Sequence, residues 1–260
     1  EVTAGAFDDA IRHAISQLAR VHAVAAPEYG ERLIRAGADP RSVHLVGGLG
    51  VDSIRRTDKL SRNELEAELG LRLKGTLLLV TYHPVTLAVH DTRTEIRSLV
   101  NALDAVSNAT VVITMPNTDP EHATIVDELE QAVSKRPDWH FFASLGSKKY
   151  ISLLSLASAV VGNSSSGLTE APTLGVPAVN VGPRQDGRLL APSVICCGTA
   201  PSEIREAIAR ALSTEFVESI QGLSSPYGES GAADRVLALL ESTSFDTLGP
   251  KKYYDLPMKT

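Results

Sequence analysis

Residues 160–177 read VVGNSSSGLTEAPTLGVP: an apolar run closes on Gly162, and Asn163, three serines and Gly167 follow before a short helical segment that meets Pro172 and Gly175. A strand that ends in small polar residues and feeds a helix presents the unpaired backbone N–H groups of that helix's first turn. Those donors and the helix dipole attract anions, and serine hydroxyls add further donors. Small residues also let the backbone approach a pyrophosphate closely. Glu170, one to two turns on, is placed to accept from the paired hydroxyls of a ribose. The other reading is a plain cap, with Ser164, Ser165 and Ser166 satisfying the helix end and Glu170 complementing the dipole. This stretch alone leaves both open.

Further chemistry-bearing residues flank other apolar runs. TYHPVT at 81–86 puts His83 just past a buried-type run, where it either packs or points toward a ligand. GPRQDGR at 182–188 carries Arg184 and Arg188, whose planar donor forks suit phosphates. MPNTD at 115–119 offers Asn117, as a turn residue or a base reader. Near the amino end, Asp8 and Asp9 precede AIRHAI, with Arg12 one turn beyond Asp8 and His13 beside it. Asp8 is either a helix cap or a carboxylate acid/base at a cleft.

The elements that must position these groups alternate regularly. Residues 76–83, 109–116, 139–144, 158–162 and 177–182 read as strands, mostly as the continuous apolar runs of a parallel sheet covered on both faces. Amphipathic helical patterns lie near 61–70, 92–107, 120–135, 148–157 and 202–213. This rhythm predicts a doubly wound α/β domain whose ligand binds at the strands' carboxyl ends. The turns YHPVT, MPNTD, LGSKK, GNSSSG and GPRQDGR all fall at those ends. The first fifty-odd residues read instead as the closing βαβ portion of another α/β lobe. The glycines at 47, 48 and 50 lack dinucleotide-fingerprint spacing and read as a turn into a linker, with a hinge over 52–60.

Bulk properties narrow the class. The 260 residues suffice for a sizeable core, with 43% hydrophobic and 22% charged. A net charge of −6 argues against broad nucleic-acid binding, yet allows a local basic pocket. No apolar run approaches the ~20 residues of a membrane span, so no membrane partner is expected. Cys196 and Cys197, the only cysteines, are adjacent and cannot staple distant segments, which favours a reducing, cytoplasmic address.

Taken together and in order, EVTAGAFDDAIRHAI, TYHPVT, GNSSSGLTEAP, GVPAVNVGPRQDGR and SPYGESGAADRVLALL resemble the hydrolysing UDP-N-acetylglucosamine 2-epimerases of sialic acid synthesis. Close relatives act on a UDP-diacetamido sugar on the way to legionaminic acid. The resemblance implies a glycosyltransferase-B-like α/β fold: one complete Rossmann-like doubly wound parallel-sheet domain plus the end of a second. On this basis 1–55 closes the amino-terminal lobe, 56–240 forms the UDP-binding domain and 241–260 is a tail. It also implies a carboxy-terminal fragment, since half of the family's amino lobe precedes EVT.

The site residues implied are Ser164, Ser165 and Glu170 for pyrophosphate and ribose, and Arg184 near the phosphates. Asn117, Leu145 and Gly146 fall near the uridine, His83 in the catalytic cleft, and Asp8 at a catalytic carboxylate. The implied partners are UDP and a UDP-amino sugar, with a possible homodimer and neither metal nor cofactor. The implied chemistry eliminates UDP across C1–C2 and rehydrates the glycal to N-acetylmannosamine. The 2,4-diacetamido substrate is the alternative; a glycosyltransferase and a UDP-binding module without turnover are the rivals.

Overall fold

The computed structural model describes residues 1–3, 8–85 and 91–256. Contacts divide the chain into two units. Among the described residues, the first comprises Glu1, 8–56 and 225–256, and the second 2–3, 57–85 and 91–224.

In the first unit, α1 (Asp9–Leu18) leads to β1 (His22–Val24), α2 (Pro27–Arg35), β2 (Val43–Leu45) and α3 (Leu49–Arg56). β1 and β2 pair in parallel, so β1–α2–β2 is the expected βαβ unit. The expected linker and hinge are different in structure. Gly47, at φ +85°, makes the turn, but a helix begins at Leu49 and buries Val51, Asp52 and Ile54. Two buried apolar positions at helical spacing, Val51 and Ile54, outweigh the two consecutive glycines just before them.

The second unit runs through α4 (Arg62–Leu69), β3 (Thr76–Thr81), α5 (Thr92–Asp104), β4 (Ala109–Thr114), α6 (His122–Val133), β5 (Trp139–Phe142), α7 (Gly146–Leu156) and β6 (Ala159–Gly162). It continues with α8 (Ser166–Thr173), β7 (Ala178–Val181), β8 (Val194–Cys197), α9 (Pro201–Ala211) and α10 (Thr214–Ser219). Its strands form one parallel six-stranded sheet in the order β5-β4-β3-β6-β7-β8. This is the doubly wound order, with the direction of winding reversing between β3 and β6.

The period of a strand explains both cores. Leu78 and Val80 pack with Ile96, Leu99, Ile125 and Ile204 on one face, while Leu77 and Leu79 pack with Leu65, Leu153, Leu154 and Ala171 on the other. β3 is therefore apolar at every one of these positions, as a strand covered on both sides must be. Caps set the helix limits. Ser61 and Glu64 form a capping box at α4, and Gly70 at φ +68° ends it. Asp91 accepts from the Arg93 and Thr94 amides at the start of α5.

The edge strand β8 and the short α10 are additions to the expected pattern. VICC offers four residues with Cys196 exposed, too little periodicity to announce a strand. The last helix, α11 (Ala232–Ser242), lies in the first unit. The Asp52 carboxylate accepts from the Gly231 and Ala233 amides at its N-terminus, and Gly48 N–H donates to Tyr227 O at 2.8 Å. Residues 225–256 thus pack with the amino-terminal segment, where the expected nucleotide domain extended to 240. Among the described residues no helix is long and apolar enough to cross a membrane.

Candidate functional site

Because all six strands of the second unit are parallel, their carboxyl ends share one rim. β3 is followed by His83, β4 by Asn117, β5 by Leu145 and Gly146, β6 by residues 163–166 and β7 by Arg184. The central pair fits closely: a Cβ on Gly162, at φ +139°, would lie 2.0 Å from the Thr81 carbonyl oxygen. Only glycine lets β6 leave the sheet beside β3.

Asn163 fills the space gained. It is fully buried. Its Oδ1 accepts from the His83 amide at 2.6 Å and its Nδ2 donates to the His83 carbonyl at 2.8 Å. Its own N–H donates to Thr81 O at 3.1 Å. Its carbonyl accepts from Arg184 Nη1 at 3.2 Å and from Gln185 Nε2 at 2.7 Å. One residue thus ties together the ends of β3, β6 and β7.

His83 is 8% exposed, and its Nδ1 accepts from the Asn117 amide at 3.0 Å. An amide N–H can only donate, so Nδ1 carries the lone pair and Nε2 carries the proton. Burial first, and the nearby Arg184 charge second, hold the imidazole down to about 4 from its ordinary 6.5. At neutral pH His83 is therefore an uncharged hydrogen-bond donor through Nε2.

The serines divide their labour. Ser166 is buried, and its Oγ accepts from the Tyr150 hydroxyl at 2.6 Å. Burial pushes that phenol up to about 12. Ser164 Oγ accepts from the Ser166 amide at 3.4 Å, while Ser165, the N-cap residue of α8, makes no side-chain capping bond. Ser164 and Ser165 are half-buried at the helix end. The plain-cap reading therefore fits Ser164 weakly and Ser165 not at all. Glu170 is the fifth residue of α8 and the first turn has no acidic residue, so dipole complementation does not account for it either. Its Oε2 accepts from the Thr169 hydroxyl.

The remaining rim groups are backbone-rich. Leu145, 5% exposed, is the N-cap residue of α7, and Gly146 follows at φ +67° with its amide donating to Ser144 Oγ at 3.2 Å. Asn117 is exposed, and its carbonyl lies 2.7 Å from His122 Nδ1. Arg188 donates from Nε to Thr3 Oγ1 at 3.2 Å, which fastens this start of the chain to the 182–188 loop. Among the described residues no group of three or more His, Cys, Asp or Glu side chains is arranged to hold a metal ion.

Asp8 belongs to the first unit. Its side chain makes no capping bond and instead lies 3.2 Å from Arg12 Nε. Arg12 also approaches Glu1 at 2.8 Å and Asp9 at 3.8 Å, and His13 lies 3.4 Å from Asp9. The expected Asp8 and Arg12 face of α1 is present. Only Asp8 among these partners is more than half exposed, and pairs of this partly exposed kind contribute ~0–1 kcal/mol each.

Sequence reasoning passed over Asn163, Gln185 and Tyr150. Each lies inside a quoted motif or helix, and only burial distinguishes it from a solvated polar residue.

A sequence model of the UDP-N-acetylglucosamine 2-epimerase family matches residues 1–241. The chain is 34% identical over 259 residues to a hydrolysing GDP/UDP-N,N'-diacetylbacillosamine 2-epimerase of Campylobacter jejuni, covering 98% of this chain and 67% of that protein. It is 32% identical over 209 residues to a UDP-N-acetylglucosamine 2-epimerase of Neisseria meningitidis, covering 80% and 54%. Among solved structures, MnaA of S. aureus with UDP superposes with a TM-score of 0.76 at 15% identity, covering 96% of this chain and 66% of that one. The chain therefore spans between about half and two thirds of the length of these proteins.

Proposed function

The chain belongs to the UDP-N-acetylglucosamine 2-epimerase family, and from that premise we propose that the protein is a hydrolysing UDP-sugar 2-epimerase whose second unit holds UDP. The observation that carries this reading is the Arg184 guanidinium bonded to the Asn163 carbonyl, one residue from the serines at the head of α8. A fixed cation and a helix N-terminus on one rim suit a diphosphate.

In this reading Ser164 and Ser165 bind the pyrophosphate, with Arg184 beside it. Glu170 accepts from the ribose hydroxyls, and Asn117, Leu145 and Gly146 contact the uridine. His83 Nε2–H donates to negative charge. The substrate is a UDP-linked 2-acetamido sugar. A base removes the C2 proton, the C1–O bond breaks, and UDP departs with the bonding electrons to leave a glycal. Water then adds hydroxide at C1 and a proton at C2 from the opposite face. The sum is UDP-sugar plus water giving UDP plus the free 2-epimer. Donors aimed in advance at the departing phosphate lower that barrier without reorganising. Asp8 is the candidate proton-transfer group.

UDP-N-acetylglucosamine, giving N-acetylmannosamine, is the first substrate reading. The diacetamido sugar is the second, supported by the Campylobacter protein's name and its alignment over 98% of this chain. Calorimetry with UDP and its Arg184→Gln variant tests the binding assignment: the reading expects binding that weakens by roughly tenfold or more on substitution. Binding unchanged by the substitution would remove Arg184 from the site. Turnover that requires a sugar acceptor would identify a glycosyltransferase instead.

A further inference from the structure

Asn163 has every polar atom engaged, with bonds to Thr81, His83, Arg184 and Gln185. The two side-chain bonds to the His83 peptide are reciprocal, one donated and one accepted, so the amide copies the pairing of a neighbouring strand just where β3 and β6 end. Pro84 follows His83 and offers no backbone N–H to continue a ladder. The carbonyl of Asn163 meanwhile holds both Arg184 Nη1 and Gln185 Nε2. His83 is then pinned from its other side by the Asn117 amide at Nδ1. The helix cap at Ser165 lies two residues after Asn163 in the chain.

We infer that Asn163 is a positioning residue that fixes the His83 imidazole, the Arg184 guanidinium and the Ser164–Ser165 turn in one register. It acts through these groups and needs no contact with ligand. The chemistry calls for asparagine in particular. Aspartate has the same shape, but it would set a second oxygen against the His83 carbonyl, replacing a donor by an acceptor in a buried place. Alanine would leave both His83 backbone groups without this partner. Leucine would fill the volume and satisfy neither.

The inference deepens the nucleotide-site reading, and its affinity arm rests on that reading; its other arms do not. In the full-length wild-type protein labelled with ¹⁵N, the Asn163 side-chain amide is expected to exchange with solvent at least about a hundredfold more slowly than a free amide. Exchange at the free rate would overturn the clamp outright. In the same spectra His83 is expected as the Nε2–H tautomer. Asn163→Asp and Asn163→Ala are expected to mix the His83 tautomers, to raise its titration toward the ordinary histidine value, and to weaken UDP binding by about tenfold.

A merely structural role would lower the melting temperature and leave tautomer and titration as in the wild type. That result in folded variants would overturn the inference. If neither variant folds, the wild-type exchange rate decides. If wild type binds no UDP, the nucleotide reading fails, while tautomer and exchange still test the positioning role.

Discussion

His83 Nδ1 lies 3.0 Å from the backbone N–H of Asn117 and accepts its hydrogen bond. The contact fixes which nitrogen keeps the proton, and burial with the Arg184 charge keeps the ring neutral. Below the ordinary value of 6.5 the unfolded chain takes up a proton that the folded chain refuses until about 4. His83 therefore stabilises the fold fully above about pH 6.5, and that contribution falls as pH drops toward 4, by about 3 kcal/mol in all. His22 and His140 are also lowered by burial and act in the same direction. Urea denaturation of wild type and His83→Gln between pH 4.5 and 7.5 isolates the effect: the difference in slope should be positive below about pH 6.5 and vanish above it. Parallel curves would contradict it.

Gly162→Ala tests the close approach of β6 to β3. The added Cβ meets the Thr81 oxygen at 2.0 Å, a backbone atom that cannot swing aside, and φ is +139°. The expected cost is roughly 3 kcal/mol or more, read by urea denaturation or as loss of soluble protein. The contrasting change Gly50→Ala, with open space around the new Cβ on a helical residue, should be neutral or slightly stabilising.

Glu170 is assigned to the ribose hydroxyls, and the assignment has a ligand-side control. Glu170→Gln should weaken UDP by about five- to tenfold in calorimetry and 2'-deoxy-UDP by clearly less, since one of the paired hydroxyls is then missing. Equal losses for both nucleotides would move Glu170 away from the ribose.

Asp8→Asn separates proton transfer from binding. The Asp8 side chain is 51% exposed and its partner Arg12 is partly buried, so stability should change by no more than ~1 kcal/mol. Turnover by the full-length protein should fall by about a hundredfold or more while UDP affinity stays as it was. Unchanged turnover would remove Asp8 from the mechanism.

How far the sequence reached follows from what each signal measures. Apolar runs at 76–83 and 109–116 announced buried parallel strands because both faces of this sheet are covered, and periodicity reports burial directly. VICC at β8 stayed silent because an edge strand with an exposed Cys196 has little apolar pattern to show. GGLG suggested a linker because glycine is read locally, whereas α3 is held by the packing of Val51 and Ile54. The return of residues 225–256 to the first unit depends on Asp52 capping α11, a bond across 179 residues that no local pattern carries. Within the site, the serines and Arg184 stood out by residue type. Asn163 did not, since an asparagine after a strand is an ordinary turn residue until its burial is known.

The account turns on whether UDP leaves by elimination and the sugar is released free. The direct measurement is proton NMR of the full-length protein turning over UDP-N-acetylglucosamine, and in parallel its 2,4-diacetamido counterpart, in D₂O without any acceptor. The account predicts free UDP and a free sugar inverted at C2 that carries solvent deuterium there. Release of a sugar that keeps its C2 proton and configuration, or an epimerised sugar still bound to UDP, would contradict it.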